Sequence, residues 1–193
     1  MRLGEEEYRG LQNDCLVLHL DGDRRYSLKA ERYYREVGLR AVVKNIPESK
    51  QPYYVTKLLE MYHPDILVVT GHDSLIRSGR NLYNLYNYKN SKYFVETVRM
   101  ARKWAPSNDK LVIIAGACQS FYEAIMNENA DFASSPGRVL IDFVDPIIIA
   151  KRVASTDRNK FVSIKDIVGD LNSGIKGIGG GTVRGKKRMV LKK

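Results

Sequence analysis

Two side chains stand where this chain can do chemistry, Cys118 and His72. Each lies just beyond a short apolar run: His72 follows DILVVT and Gly71, and Cys118 follows KLVIIAG and Ala117. A thiol attacks as its thiolate, and a free thiol ionises only near pH ~8.5. A neighbouring imidazole lowers that value and later hands the proton to a leaving amine. Gly116 and Ala117 are small enough for a substrate backbone to come close, and the amide of Cys118 can face the oxyanion of a tetrahedral intermediate. The residues after the cysteine read as the start of a helix, whose amino-terminal dipole favours an anion.

The remaining cysteine and histidines take blander readings. Cys15 begins a strand and reads as a small buried hydrophobe. His19 sits inside an apolar run as a satisfied core histidine, and His63, before Pro64, reads as a helix end capping carbonyls. That leaves too few ligands for zinc, so no metal is expected. No GxxxxGK[ST] phosphate loop occurs, and GIGGGTVRG (177–185) lacks a following apolar helix, so no nucleotide cofactor is expected either. Trp104 and the tyrosines of NLYNLYNYKNSKYF (81–94) are able to stack on bases, but aromatics at this spacing more often pack a helix or loop. No nucleic acid is expected as a partner.

The elements that must position Cys118 and His72 follow from hydrophobic patterning. Apolar runs at 15–20, 40–46, 65–70, 110–116 and 131–135 read as strands. Amphipathic segments at 25–38, 52–63, 91–104, 121–130, 145–154 and 161–171 read as helices, with Gly38 ending the first and Pro52 in the first turn of the second. Such alternation implies a three-layer αβα sandwich on a mostly parallel sheet, flavodoxin-like or caspase-like. Sites in these folds form beyond the carboxyl ends of the strands. Adjacent strands are about 4.8 Å apart, so side chains following two neighbours can converge.

Composition sets the outer bounds. The 193 residues are 44% hydrophobic and 28% charged, ordinary for one soluble domain. Two cysteines exclude a disulfide framework, and no apolar stretch reaches the ~18 residues of a membrane span. The acidic start MRLGEEEYRG is unlike a secretory signal, which points to the cytoplasm. The net charge is +10, yet seven basic and no acidic residues fall within 171–193. The chain therefore divides into a domain over 1–171 and a Gly-rich basic segment over 172–193, expected to be at least partly mobile.

His72 precedes Cys118 by 46 residues, each after an apolar strand. This order resembles the caspase-like cysteine peptidases. Those enzymes usually carry His-Gly, whereas this chain has Gly71-His72-Asp73, and the amide of Asp73 is then the candidate second oxyanion donor beside that of Cys118. A closer resemblance spans nearly the whole chain. HLDGD (19–23), PDILVVTGHDSL (64–75), NSKYFVETVRMAR (90–102), LVIIAGACQSFYEA (111–124), ADFASSPGRVLI (130–141) and GIKGIGGGTVRGK (174–186) resemble the YabG family of sporulation peptidases. Members of that family are longer at the amino terminus, so the chain resembles their peptidase portion.

The resemblance implies a cysteine peptidase of the mother cell of endospore-forming bacteria, acting on spore coat and cortex-associated proteins in the cytoplasm or at the forespore surface. It implies Cys118 as nucleophile and His72 as its partner. The family is associated with cleavage after arginine, which calls for a carboxylate able to take a guanidinium fork. Asp21, Asp23, Asp142 and Asp145 are the candidates, although Asp21-Gly22-Asp23 also reads as a simple turn. Self-cleavage is expected at Arg77, Arg80, Arg184, Lys186, Lys187 or Arg188.

Rival readings fit less well. A glutamine amidotransferase, another thiol acyl transferase, carries a G-x-C-x-G elbow with its histidine later in the chain; here Ala117-Cys118-Gln119-Ser120 lacks the second glycine and the histidine comes first. A receiver-like signalling domain wants an aspartate ending strand three and a lysine ending strand five, where this chain has His72-Asp73 and Ser134-Ser135.

Overall fold

The computed structural model describes residues 11–76 and 81–191. In chain order it contains β1 (Leu11–Asn13), β2 (Leu16–Asp21), α1 (Arg24–Glu36), β3 (Arg40–Asn45), α2 (Gln51–Tyr62), β4 (Ile66–Thr70), α3 (Ser91–Trp104), β5 (Val112–Ala115), α4 (Tyr122–Asn127), β6 (Phe132–Ser134) and α5 (Asp145–Ser155). There follow β7 (Phe161–Ser163), α6 (Ile164–Ile167), α7 (Gly174–Gly177), β8 (Ile178–Gly180), β9 (Thr182–Arg184) and β10 (Met189–Leu191).

The central sheet runs β3-β2-β4-β5-β6-β8. Its first five strands are parallel and β8 is antiparallel to β6. These five follow the flavodoxin-like order, second-first-third-fourth-fifth, with the switch point beside β2. Period-2 alternation assigns the two faces. Val17, Ile66, Val68, Val112 and Ile114 pack with α1 and α5 through Ala30, Tyr34, Ile149 and Val153. Leu18, Leu67, Val69, Ile113 and Ala115 pack with α2 and α3 through Val55, Leu59, Phe94 and Val98. The α/β class and the parallel sheet thus match the patterning. Among the described residues no helix is long and apolar enough to cross a membrane.

Two expectations are corrected. The stretch 161–171 is not one helix. Phe161–Ser163 pairs with β9, and Ser163 and Asp166 form a reciprocal capping box that starts α6 at Ile164. The basic segment is not a loose tail either. It supplies β8 to the central sheet and β9 and β10 to two small antiparallel pairs. Its glycines serve close approach: a methyl group on Gly180 would overlap the Phe132 ring and the Asp131 carbonyl.

The segment's charges are also engaged. Lys186 is 3% exposed and donates to the carbonyls of Asn108 and Asp109 at 2.8 and 2.6 Å. Arg184 lies over the Phe161 ring, and Arg188 meets Asp65 at 3.0 Å. A buried lysine and paired strands are poor cleavage points, because a protease needs an extended, accessible backbone. Arg77 and Arg80 lie outside the described residues.

Replacing Lys186 with alanine removes two charge-assisted bonds and leaves two carbonyls unpaired. The variant should lose about 2 kcal/mol, a fall of roughly 4–8 °C in Tm for a chain of this size. Thermal unfolding checks this, and an unchanged Tm would return the segment to a loosely held state.

Candidate active site

The ends of β2, β4 and β5 open into one cleft of about 320 Å³. Its lining includes Asp21, Tyr26, Lys29, His72, Cys118, Ile141, Asp142 and Phe143, with His19 and Thr70 on its floor. The sheet's register explains the convergence. Asp21 is level with Thr70 across β2 and β4, and Val69 with Ala115 across β4 and β5.

His72 is exposed, its side chain 59% accessible, and is held through one ring nitrogen and its main chain. Its Nε2 lies 2.9 Å from Asp23 Oδ2. Its main-chain N–H donates to Glu48 Oε1 at 2.6 Å, and its carbonyl accepts from the Asn90 side chain at 2.7 Å. Tyr26 meets the ring edge-on, with centroids 5.8 Å apart. A carboxylate can only accept at Nε2, so that nitrogen carries the proton and Nδ1 is left as the base. Asp23 also caps α1, accepting from the amides of Arg25 and Tyr26. The hydrogen bond from His72 holds the Asp23 carboxyl below its ordinary range.

Cys118 occupies a tight turn. Gln119 is left-handed, with φ 58°, and its amide donates to Ser135 Oγ and to the Val139 carbonyl. The Ala117 amide donates to Ser120 Oγ, and Ser120 Oγ donates to Asp73. The thiol sulfur accepts from the Ile141 amide at 3.3 Å. Among the described residues no hydrogen bond joins His72 to Cys118, although both line the one cleft. The expected support from a helix dipole is corrected: α4 begins only at Tyr122 and has six residues, so it does not abut the thiol.

The four acids separate. Asp21 is buried in the cleft floor, accepting from Thr70 Oγ1 at 2.6 Å and from the Asp23 amide at 2.7 Å. Burial raises its pKa against those hydrogen bonds. Asp142 lines the opposite wall and accepts from the Val144 amide and the Asn172 side chain. Asp23 is engaged with His72. Asp145 is fully buried away from the lining and accepts from the amides of Asn172 and Ser173. Asp73 is buried too. Its carboxylate accepts from the amides of Ser74 and Asn90 and from the hydroxyls of Ser91 and Ser120, so its side chain braces the loop, and burial raises its pKa.

The blander readings hold for the other three. Cys15 is buried and its thiol is pushed up to about 12, chiefly by burial. His63 ends α2 in a left-handed conformation and donates its amide to the Leu59 carbonyl. His19 bridges Tyr34 and Thr70 at 3.1 and 2.7 Å. Sequence reasoning missed Glu48, which sits in an unremarkable PESK, and the bond between Asp23 and His72. A glycine before each of Asp23 and His72 was the available signal.

Fold and cleft together define an α/β protein whose cleft, at the carboxyl ends of a parallel sheet, is lined by both His72 and Cys118. Residues 3–192 match the YabG peptidase U57 family, and the chain belongs to it. It is 40% identical over 173 residues to the sporulation-specific protease YabG of Bacillus subtilis (strain 168), a match covering 90% of this chain and 60% of that protein. The chain thus spans about 60% of the length of that curated relative. No solved structure matches it.

Burial forces His19 to stay neutral, lowering its pKa from 6.5 to about 3. In the unfolded chain it regains its ordinary value and binds a proton below that pH. The stability it confers is therefore complete above pH 6.5 and is lost as pH falls toward 3. Its contribution to the slope is at most about 1.4 kcal/mol per pH unit. Denaturant titrations between those limits should show a shallower slope for His19→Gln than for the parent; equal slopes would refute the assignment.

Proposed function

We propose that this chain hydrolyses peptide bonds, with Cys118 as nucleophile, His72 as general base and acid, and Asp23 as the residue that orients the imidazole. The observation that carries this reading is the bond between Asp23 and His72 Nε2, which leaves Nδ1 basic in a cleft that also holds the thiol. Membership of a peptidase family and the caspase-like order of histidine before cysteine support it as well.

In the reaction Nδ1 takes the proton of Sγ, and the thiolate adds to the scissile carbonyl carbon. The oxyanion is met by the Cys118 amide, which is free of other partners among the described residues, with the Asp73 amide as second donor. Collapse breaks the C–N bond as imidazolium N–H protonates the departing amine. Water then loses a proton to Nδ1 and adds to the thioester, releasing the acid and restoring the thiol. Asp23 keeps Nε2–H in place through both halves and stabilises the imidazolium.

The preferred residue on the acyl side is arginine. Asp21 on the floor and Asp142 on the wall present carboxylates from two directions, which suits a planar guanidinium with five donors. Lys29 lies over the rings of Tyr26 and Phe143 in the same lining, so a substrate cation has aromatic faces to rest on once that side chain swings aside. The name of the Bacillus subtilis relative, a sporulation-specific protease, supports a role in sporulation; the substrates we propose are spore coat and cortex-associated proteins, met in the mother cell or at the forespore surface.

An arginyl reporter peptide tests the chemistry. Cys118→Ala and alkylated parent should be inactive, and His72→Ala should fall by about 10³-fold or more. Dyad variants as fast as the parent would end the peptidase reading. Asp21→Asn and Asp142→Asn should each lower kcat/KM for arginine by roughly 10- to 100-fold, the usual value of a charge-assisted bond. An uncharged reporter should be far less affected; equal losses on both substrates would remove these acids from the specificity pocket.

A further inference from the structure

We infer that Glu48 is a positioning residue for His72, acting as a clamp between the two loops that carry Asp23 and His72. The inference rests on the thiol–imidazole reading above. Glu48 does not line the cleft, so it acts through another group. It stands in a 3₁₀ turn, Glu48–Lys50, that leads into α2. That turn is anchored to the sheet edge by Gln51, whose buried side-chain amide donates to the carbonyls of Ile46 and Thr70 at 3.1 and 2.9 Å.

From this base the Glu48 carboxylate reaches into a slot made by two glycines. A methyl group on Gly22 or on Gly71 would overlap it. Gly22 precedes Asp23, and Gly71 precedes His72. The carboxylate thus lies against the main chain of both loops and accepts the His72 N–H. Gly71 is also at φ 155°, a conformation that side chains with a Cβ rarely adopt. The Gly-His order is accounted for: the residue before the histidine must leave room for Glu48.

The consequence is mechanical. Asp23 fixes which nitrogen carries the proton and Asn90 holds the His72 carbonyl, but neither of them holds the amide side of the residue, which is left free to move. Glu48 removes that freedom by holding the His72 amide at the height of Gly22. A displacement of even 1 Å at a reacting group can cost about 100-fold in rate.

Steady-state kinetics on the arginyl reporter separates this role from simple stability. Glu48→Ala should lower kcat by about 10- to 100-fold and leave KM and Tm close to the parent's. Glu48→Gln should recover most of kcat, since its amide oxygen still accepts from the His72 N–H. Gly22→Ala tests the same contact from the other side. Its methyl displaces only the flexible end of Glu48, so the protein should fold and lose kcat as Glu48→Ala does. The double variant Gly22→Ala/Glu48→Ala should lose no more than either single change, because both remove one interaction.

A Glu48→Ala variant with the parent's kcat, beside inactive Cys118→Ala, would overturn the clamp while sparing the peptidase reading. So would a Glu48→Gln variant as slow as the alanine. An active Cys118→Ala would instead overturn the reading on which the clamp rests.

Discussion

The register of three parallel strands is the constraint on which the site depends. Backbone bonds level Asp21 with Thr70 and Val69 with Ala115. The chain leaves each strand at the same sheet edge, and Asp23, His72 and Cys118 follow within two or three residues. A slip of one residue in β4 would turn Leu67 and Val69 to the face of Ile66 and Val68 and would carry His72 away from Asp23. The apolar faces that lock the sheet between its helices are therefore what aligns the polar edge. Ladder bonds alone carry no such sequence information.

Two buried carboxylates extend this order into the loops. On one side, Tyr34 donates to His19 Nδ1, His19 Nε2–H donates to Thr70, and Thr70 donates to Asp21. Every proton in this chain points toward Asp21. The wiring favours the anion at the cleft floor and offsets part of the cost of burying it. On the other side, Asp73 gathers Ser91 and Ser120 with two amides. Because Ser120 also holds the Ala117 amide, Asp73 ties the histidine loop to the cysteine turn. The residue after His72 is thus an internal brace.

Cys118 and His72 were legible in the sequence because each follows a continuous apolar run, and burial on both faces is what makes such runs. The α/β class and the parallel sheet needed no more than alternation and length, whereas the order of strands comes from the structure. Asp23 was visible only as a turn residue or substrate-binding acid, since nothing in DGD shows that its carboxylate faces a histidine 49 positions away. Glu48 carries no motif of its own, because a main-chain acceptor needs none; only the glycines it packs against, Gly22 and Gly71, mark its place. The carboxyl-terminal segment misled for a different reason. Glycine with lysine usually means a solvated, flexible chain, but here Gly180 is selected by the closeness of Phe132, and Lys186 by two part-buried carbonyls. Composition reports the residue type and is silent on which demand chose it.

That segment also supports the cleft. The wall that carries Ile141, Asp142 and Phe143 has no strand of its own. Ser173 Oγ accepts the Asp142 amide, and Asp145 accepts the amides of Asn172 and Ser173. The Ser135 amide donates to the Gly177 carbonyl, immediately before β8 joins the sheet. The wall therefore hangs between β6 and β8, and its Ile141 amide reaches the thiol only because both are in place. Strands that look like an appendage by composition set the distance between the Cys118 thiol and the wall of the cleft.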